Sequence, residues 1–277
     1  TLALTLTDAV KLNSIDISGL KGITGDVAIN LANVKHTDNK LVVDIQGSDA
    51  AETITANTID STITAIKLSG DLGGGANTVT VAPTSGATGI KTIDLSGLSA
   101  TGGTLTSTIT HDAAQTVLTT IIGSVGDDTI TIGKANAGLT VTGGAGNDTF
   151  NLTASTVSGA TAADFTTITD FSTGDSIKFA ADSVAGYANV GTVTDSTLAA
   201  AITTALALTA GTISVADQAK SVYGFKWEYN GTTETYLFYN AANSSTSATT
   251  SDIVVKLSGN VDLDSISLDG ATGVTIA

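Results

Sequence analysis

Two nine-residue stretches, 123–131 (GSVGDDTIT) and 143–151 (GGAGNDTFN), set glycines and aspartates at a spacing that suits a hard metal ion. The second follows the pattern Gly-Gly-x-Gly-x-Asp-x-apolar-x at each specified position, through Gly143, Gly144, Gly146 and Asp148. The first follows it at Gly123, Gly126, Asp128 and Ile130, with Ser124 in the second glycine position. Glycine lets a backbone turn tightly and aim its carbonyl oxygens inward, while the aspartate adds a carboxylate just before a strand begins. Calcium takes about 6–8 oxygens, more than one turn supplies but within reach of two turns stacked on one face. Asp128 and Asp148 are 20 residues apart, whereas two strict nine-residue repeats would put them about 18 apart. A small bulge within 132–142 is therefore expected. Two looser versions, 47–55 (GSDAAETIT) and 72–80 (LGGGANTVT), carry Glu52 and Asn77 at the aspartate position and read as plain corners.

Other chemistries find little support. The chain has no Cys and only two His, His36 and His111, both set among polar residues. There is no His-Glu-x-x-His zinc motif and no Gly-x-Ser-x-Gly nucleophile turn. His111-Asp112 reads as a solvated loop pair. A carboxylate pair for glycoside hydrolysis would need two acids singled out by their surroundings, and no segment does this. The aromatic set Trp227, Tyr229, Tyr236 and Tyr239 reads as the packed face of a hairpin rather than a sugar platform.

The elements that must position the two acidic turns repeat along the chain. One phrase occurs at 15–20 (IDISGL), 66–71 (IKLSGD), 93–98 (IDLSGL) and 255–260 (VKLSGN). Each copy alternates apolar and polar residues and then meets Ser-Gly, the signature of a half-buried strand ending in a turn. Strand and turn signals alternate about every ten residues from 12 to 152, and Asn-Gly or Asp-Gly hairpin signals are confined to the region near the C-terminus. Short strands without tight hairpins predict parallel stacking of successive circuits, none of which buries its inner face alone. The fold class expected is all-β, a right-handed parallel β-solenoid or β-roll, with a C-terminal capping region containing one short helix and a hairpin.

Composition agrees. Of 277 residues 42% are hydrophobic but only 4% aromatic, so a core must come from small and β-branched side chains. The net charge is −15, and all acids but Glu52, Glu228 and Glu234 are Asp. That sign disfavours nucleic acid as a partner and suits hard cations. No apolar run is long enough for a membrane helix, and the longest, near 198–208, is interrupted by Thr203 and Thr204. With Thr1 first and no Met anywhere, the chain reads as a fragment or a processed product.

The pattern changes after about residue 153. A helix is expected over 195–208, with Asp195 or Ser196 as its cap and Gly211 as its stop. A hairpin is expected over 223–240, turning at Asn230-Gly231, followed by a polar loop over 241–251 and closing strands at 253–257 and 265–268.

GGAGNDTFN and GSVGDDTIT resemble the repeats-in-toxin (RTX) family. The segment 168–179 (ITDFSTGDSIKF) resembles the one that closes the calcium β-roll in that family and in the C-terminal domains of serralysin-like proteases. The segment 252–268 resembles the terminal strands of the same domains. The resemblance implies a parallel β-roll with calcium between its turns, and it adds Asp170 and Asp175 to the expected ligands. It also implies type I secretion through an uncleaved C-terminal signal, which the small, apolar ending GATGVTIA suits. RTX blocks carry several consecutive exact repeats, whereas this chain has one exact and one near copy. Thr/Ala/Gly/Val-rich, acidic, Cys-free chains with such ends resemble bacterial S-layer proteins. The domains expected are 1–122, degenerate solenoid coils; 123–179, the calcium β-roll; and 180–277, cap and secretion signal. The function expected is a non-enzymatic surface-layer protein, secreted to the bacterial cell surface. Its partners would be further copies of itself and calcium, with cell-surface polysaccharide held by a region outside this chain. An export module of a large adhesin or effector, and a β-helix polysaccharide hydrolase, are the alternatives.

Overall fold

A computed structural model describes residues 2–7, 12–19, 26–32, 39–57, 59, 61–84, 86–133, 138–152, 165–179, 184–208, 220–241, 252–270 and 272–276. Residues 242–251 of the expected polar loop, the helix stop at Gly211 and His36 lie outside these residues. The chain is mostly β, with one α-helix among the described residues, and forms two compact units: 1–131 with 143–148, and 132–142 with 149–277.

In the first unit, β1 (Leu2–Thr7), β3 (Val27–Ala32), β5 (Glu52–Ala56), β7 (Gly75–Val81), β9 (Gly103–His111) and β11 (Asp127–Ile132) lie side by side in one sheet. The strands between them, β2 (Ser14–Asp16), β4 (Lys40–Gln46), β6 (Ala65–Asp71), β8 (Thr92–Ser99) and β10 (Thr120–Ile122), form a second sheet. Odd strands thus pair with odd and even with even, and from β1 to β9 in one sheet and β2 to β10 in the other the pairing is parallel. The chain crosses from one sheet to the other at each corner. Alternation along each strand turns every second side chain inward: in β5, Glu52, Ile54 and Ala56 are buried and Thr53 is exposed. Like residues stack on like, as Leu41 beside Ile66, Ile66 beside Ile93 and Ile93 beside Ile121, all fully buried. Such aliphatic ladders supply the core that so few aromatics cannot.

The Ser-Gly pairs do not end their strands in the middle of this stack. β6 runs on through Ser69 and Gly70 to Asp71, and β8 through Ser96 and Gly97 to Ser99. The two strands slip by one residue between Lys67 and Ser69, a bulge whose extra residue lies in β8, between Asp94 and Gly97.

The second unit begins with short parallel pairs. β12 (Thr140–Thr142) lies beside β14 (Thr166–Ile168), and β13 (Thr149–Asn151) beside β15 (Ser176–Lys178). β16 (Gly186–Val193), the helix α1 (Leu198–Leu208), β17 (Ser221–Tyr229), β18 (Thr232–Asn240) and β19 (Ile253–Leu257) follow, then β20 (Ile266–Asp269) and β21 (Gly273–Ile276). β19 is parallel to β14 on one side and antiparallel to β18 on the other, which joins the hairpin to the stacked strands. The hairpin β17–β18 turns at Asn230-Gly231, both at positive φ. Helix α1 buries Leu198, Ala201, Ile202, Ala205 and Leu206, one stripe at helical spacing. It shares a cluster with Tyr223, Phe225, Tyr236 and Phe238 of the hairpin. The helix starts later than expected: Thr197 caps it, its hydroxyl accepting from the Ala200 amide at 3.2 Å. Asp195 instead offers its carbonyl to the Trp227 indole at 2.8 Å. Edge strand β16 carries a bulge between Asn189 and Gly191.

Candidate metal centre

The turns 123–128 and 143–148 both belong to the first unit and stack directly. Each is a corner that leads into a strand, so the residue at the aspartate position points inward as its neighbours point out. Asp128 and Asp148 are accordingly only 2% exposed. Asp128 closes its own turn: its carboxylate accepts from the Ser124 amide at 2.5 Å and from the Ser124 hydroxyl at 2.9 Å. The Ser124 hydroxyl in turn accepts from the Gly126 amide at 3.2 Å and from the Ser107 hydroxyl at 3.0 Å. The Asp128 amide donates to Asp148 Oδ1 at 2.9 Å, so one N–H links the two acids across successive turns.

Close stacking explains the glycines. A Cβ on Gly123 would lie 2.1 Å from the Gly143 carbonyl oxygen. Gly144, at φ +113°, would put one 2.0 Å from the Ser124 carbonyl oxygen. Either contact is impossible for a side chain, so the turns can approach this closely only where Cβ is absent. Gly126 and Gly146 lie in the same two turns. Asp127 is exposed and accepts from the Asn147 amide at 2.8 Å, a second tie between the turns on their outer side.

Burial pushes the Asp128 carboxyl above its ordinary range, against the lowering effect of the hydrogen bonds from Ser107 and Ser124. A carboxylate buried like that of Asp128 is costly to keep ionised unless a cation offsets its charge. The donors present are carboxylate, hydroxyl and backbone carbonyl oxygens, the set calcium takes, and an ionised carboxylate keeps acceptor capacity beyond two hydrogen bonds. The residues therefore fit calcium in kind. Among the described residues no group of three or more His, Cys, Asp or Glu side chains gathers as a metal cluster, so carbonyls and water would have to complete the shell.

Asp170 and Asp175 belong to the second unit. Asp175 is buried and repeats the local role of Asp128, accepting from the Ser172 amide at 2.8 Å and hydroxyl at 3.1 Å. Asp170 is half-buried just beyond β14.

The sequence missed the serines. Ser124 occupies a glycine position of the motif, yet its hydroxyl is the hub of the corner, and Ser107 reaches it from β9. His111 is not solvated. It is 1% exposed at the end of β9, its Nε2 lies 3.3 Å from the Gln115 carbonyl, and burial lowers its pKa. The aromatic set divides. Tyr236 is buried in the cluster beneath α1, whereas Tyr229 is exposed and stacks on Trp227 with centroids 5.5 Å apart. A scan against models of known protein families finds none that matches this chain, and a search of curated proteins finds no match either.

Proposed function

We propose that this chain is a non-catalytic structural protein: a right-handed parallel β-solenoid of a bacterial surface layer, whose stacked turns 123–128 and 143–148 bind calcium. The observation that carries this reading is the pair of buried carboxylates, Asp128 and Asp148, joined by a single amide. The parallel pairing of alternate strands, with a core of stacked aliphatics, supports the solenoid. Calcium neutralises the corner and stabilises the folded form by mass action. It also screens a molecule with a net charge of −15, which otherwise repels its copies. Secretion and surface location rest on the resemblance of the two acidic turns, and of 168–179, to secreted calcium β-rolls.

Light scattering and electron microscopy with calcium or chelator test the reading. Extended or two-dimensional assemblies should form only with calcium. A monomer at millimolar calcium and high protein concentration overturns the surface-layer function.

A further inference from the structure

The corner formed by 47–52 and 72–77 has the same construction as the corner at 123–128 and 143–148, although its sequence departs from the glycine-aspartate pattern. The correspondence holds bond by bond. Glu52 accepts from the Ser48 amide at 2.8 Å and the Ser48 hydroxyl at 2.6 Å, as Asp128 does from Ser124. The Ala50 amide donates to the Ser48 hydroxyl at 3.1 Å, as Gly126 does to Ser124 at 3.2 Å. The Glu52 amide donates to Asn77 Oδ1 at 2.9 Å, the same distance at which the Asp128 amide meets Asp148. The backbones approach alike: a Cβ on Gly47 would meet the Leu72 carbonyl oxygen at 2.1 Å, as one on Gly123 meets that of Gly143.

One difference points to a ligand. Asp128 uses both carboxylate oxygens to hold its turn, whereas Glu52 holds the same two donors with Oε1 alone. Glu52 Oε2 is left without a hydrogen-bond partner, in a residue that is fully buried. A buried anionic oxygen with nothing to receive is costly unless a cation or a proton meets it. The Asn77 amide nitrogen makes only long contacts, 3.4 and 3.5 Å, to the carbonyls of Gly73 and Gly74.

We propose that the stacked turns 47–52 and 72–77 form a second cation site, with Glu52 Oε2 as its anionic ligand and backbone carbonyls of the two turns as neutral ones. It holds one carboxylate where the other corner holds two, and calcium affinity follows ligand charge. This corner therefore binds the same class of ion more weakly. The assignment does not depend on calcium binding at Asp128 and Asp148.

Calcium titration calorimetry on the full chain, with circular dichroism to confirm folding, tests it. D128N/D148N should retain a weak calcium-binding event. Adding E52Q should abolish it, since Gln keeps an oxygen for Ser48 but loses the charge. Adding N77D should instead tighten the event about tenfold, because a second carboxylate would then face the Gly73 and Gly74 carbonyls and need the ion. The proposal is overturned if D128N/D148N binds no calcium at millimolar concentration, if E52Q leaves the weak event intact, or if N77D fails to strengthen it. Should E52Q not fold, N77D alone decides. If D128N/D148N binds as wild type does, the reading of the other corner fails and this one stands or falls on E52Q and N77D.

Discussion

Replacing Asp148 by Ala or by Asn separates what its carboxylate does for the turn from what it does for a cation. In Asp148→Ala the buried Asp128 amide loses its acceptor, now 2.9 Å away. A hydrogen bond to a charged group contributes about 1.5–3 kcal/mol, and leaving the buried donor unsatisfied makes the upper part of that range the better guide. A loss of about 2–3 kcal/mol follows, or a Tm lower by roughly 3–6 °C for a chain of this size. Asp148→Asn keeps an acceptor oxygen in place, as Asn77 already does for the Glu52 amide at 2.9 Å. In chelator it should stay within about 1 kcal/mol of wild type. Calcium reverses the grouping. At a hundredfold excess over Kd a bound ion stabilises the folded form by about 2.7 kcal/mol, a gain that Asp148→Asn should largely forfeit. Thermal melts in chelator and in calcium measure all of these terms. If Asp148→Asn is as damaging as Asp148→Ala in chelator, the acceptor geometry does not hold the turns together. If Asp148→Asn gains as much from calcium as wild type, Asp148 is not a ligand.

Two further outcomes follow from the same structure. The folded-state pKa of Asp128 is raised by burial, so the penalty for ionising it is absent at low pH and grows as pH rises through that pKa. In chelator its carboxyl signal in an NMR titration should therefore move above the ordinary Asp range, and calcium should bring it down; a normal titration in chelator contradicts the buried placement. Ile93→Ala, in the middle of the fully buried ladder Leu41, Ile66, Ile93 and Ile121, should cost about 2–5 kcal/mol by chemical denaturation, and a loss below about 1 kcal/mol would mean the ladder is not packed.

The strands were legible in the sequence because a half-buried strand writes its period of two directly into residue type. The parallel order was legible from the lack of hairpin signals between those strands. Where the expectations failed, a backbone detail or a longer count was needed. Ser-Gly marks the end of β2 but a bulge within β6 and β8, and the dipeptide is the same in each case. His111 looked solvated from its immediate neighbours. Counted in twos along β9, it continues the buried series Leu105, Ser107, Ile109, and its burial was there to be read. At the acidic corner, the glycines and aspartates were visible as a pattern. Glu52 and Asn77 were visible at the aspartate position too, but that they keep the hydrogen bonds of Asp128 and Asp148 was hidden, since such a role survives the exchange of Asp for Glu or Asn while a motif does not.

The pairing of each strand with the one two earlier has a mechanical side. In the first unit, load applied at one end of the stack would meet only the outermost circuit, since the next is held by its own hydrogen bonds further in. Glu52 and Asn77, partners in adjacent circuits, are 25 residues apart. Peeling one circuit of that size would release up to about 80–90 Å of chain. A tether built this way yields in instalments, lengthening under a pull before its remaining circuits are disturbed, and each freed circuit has an intact neighbour on which to re-form.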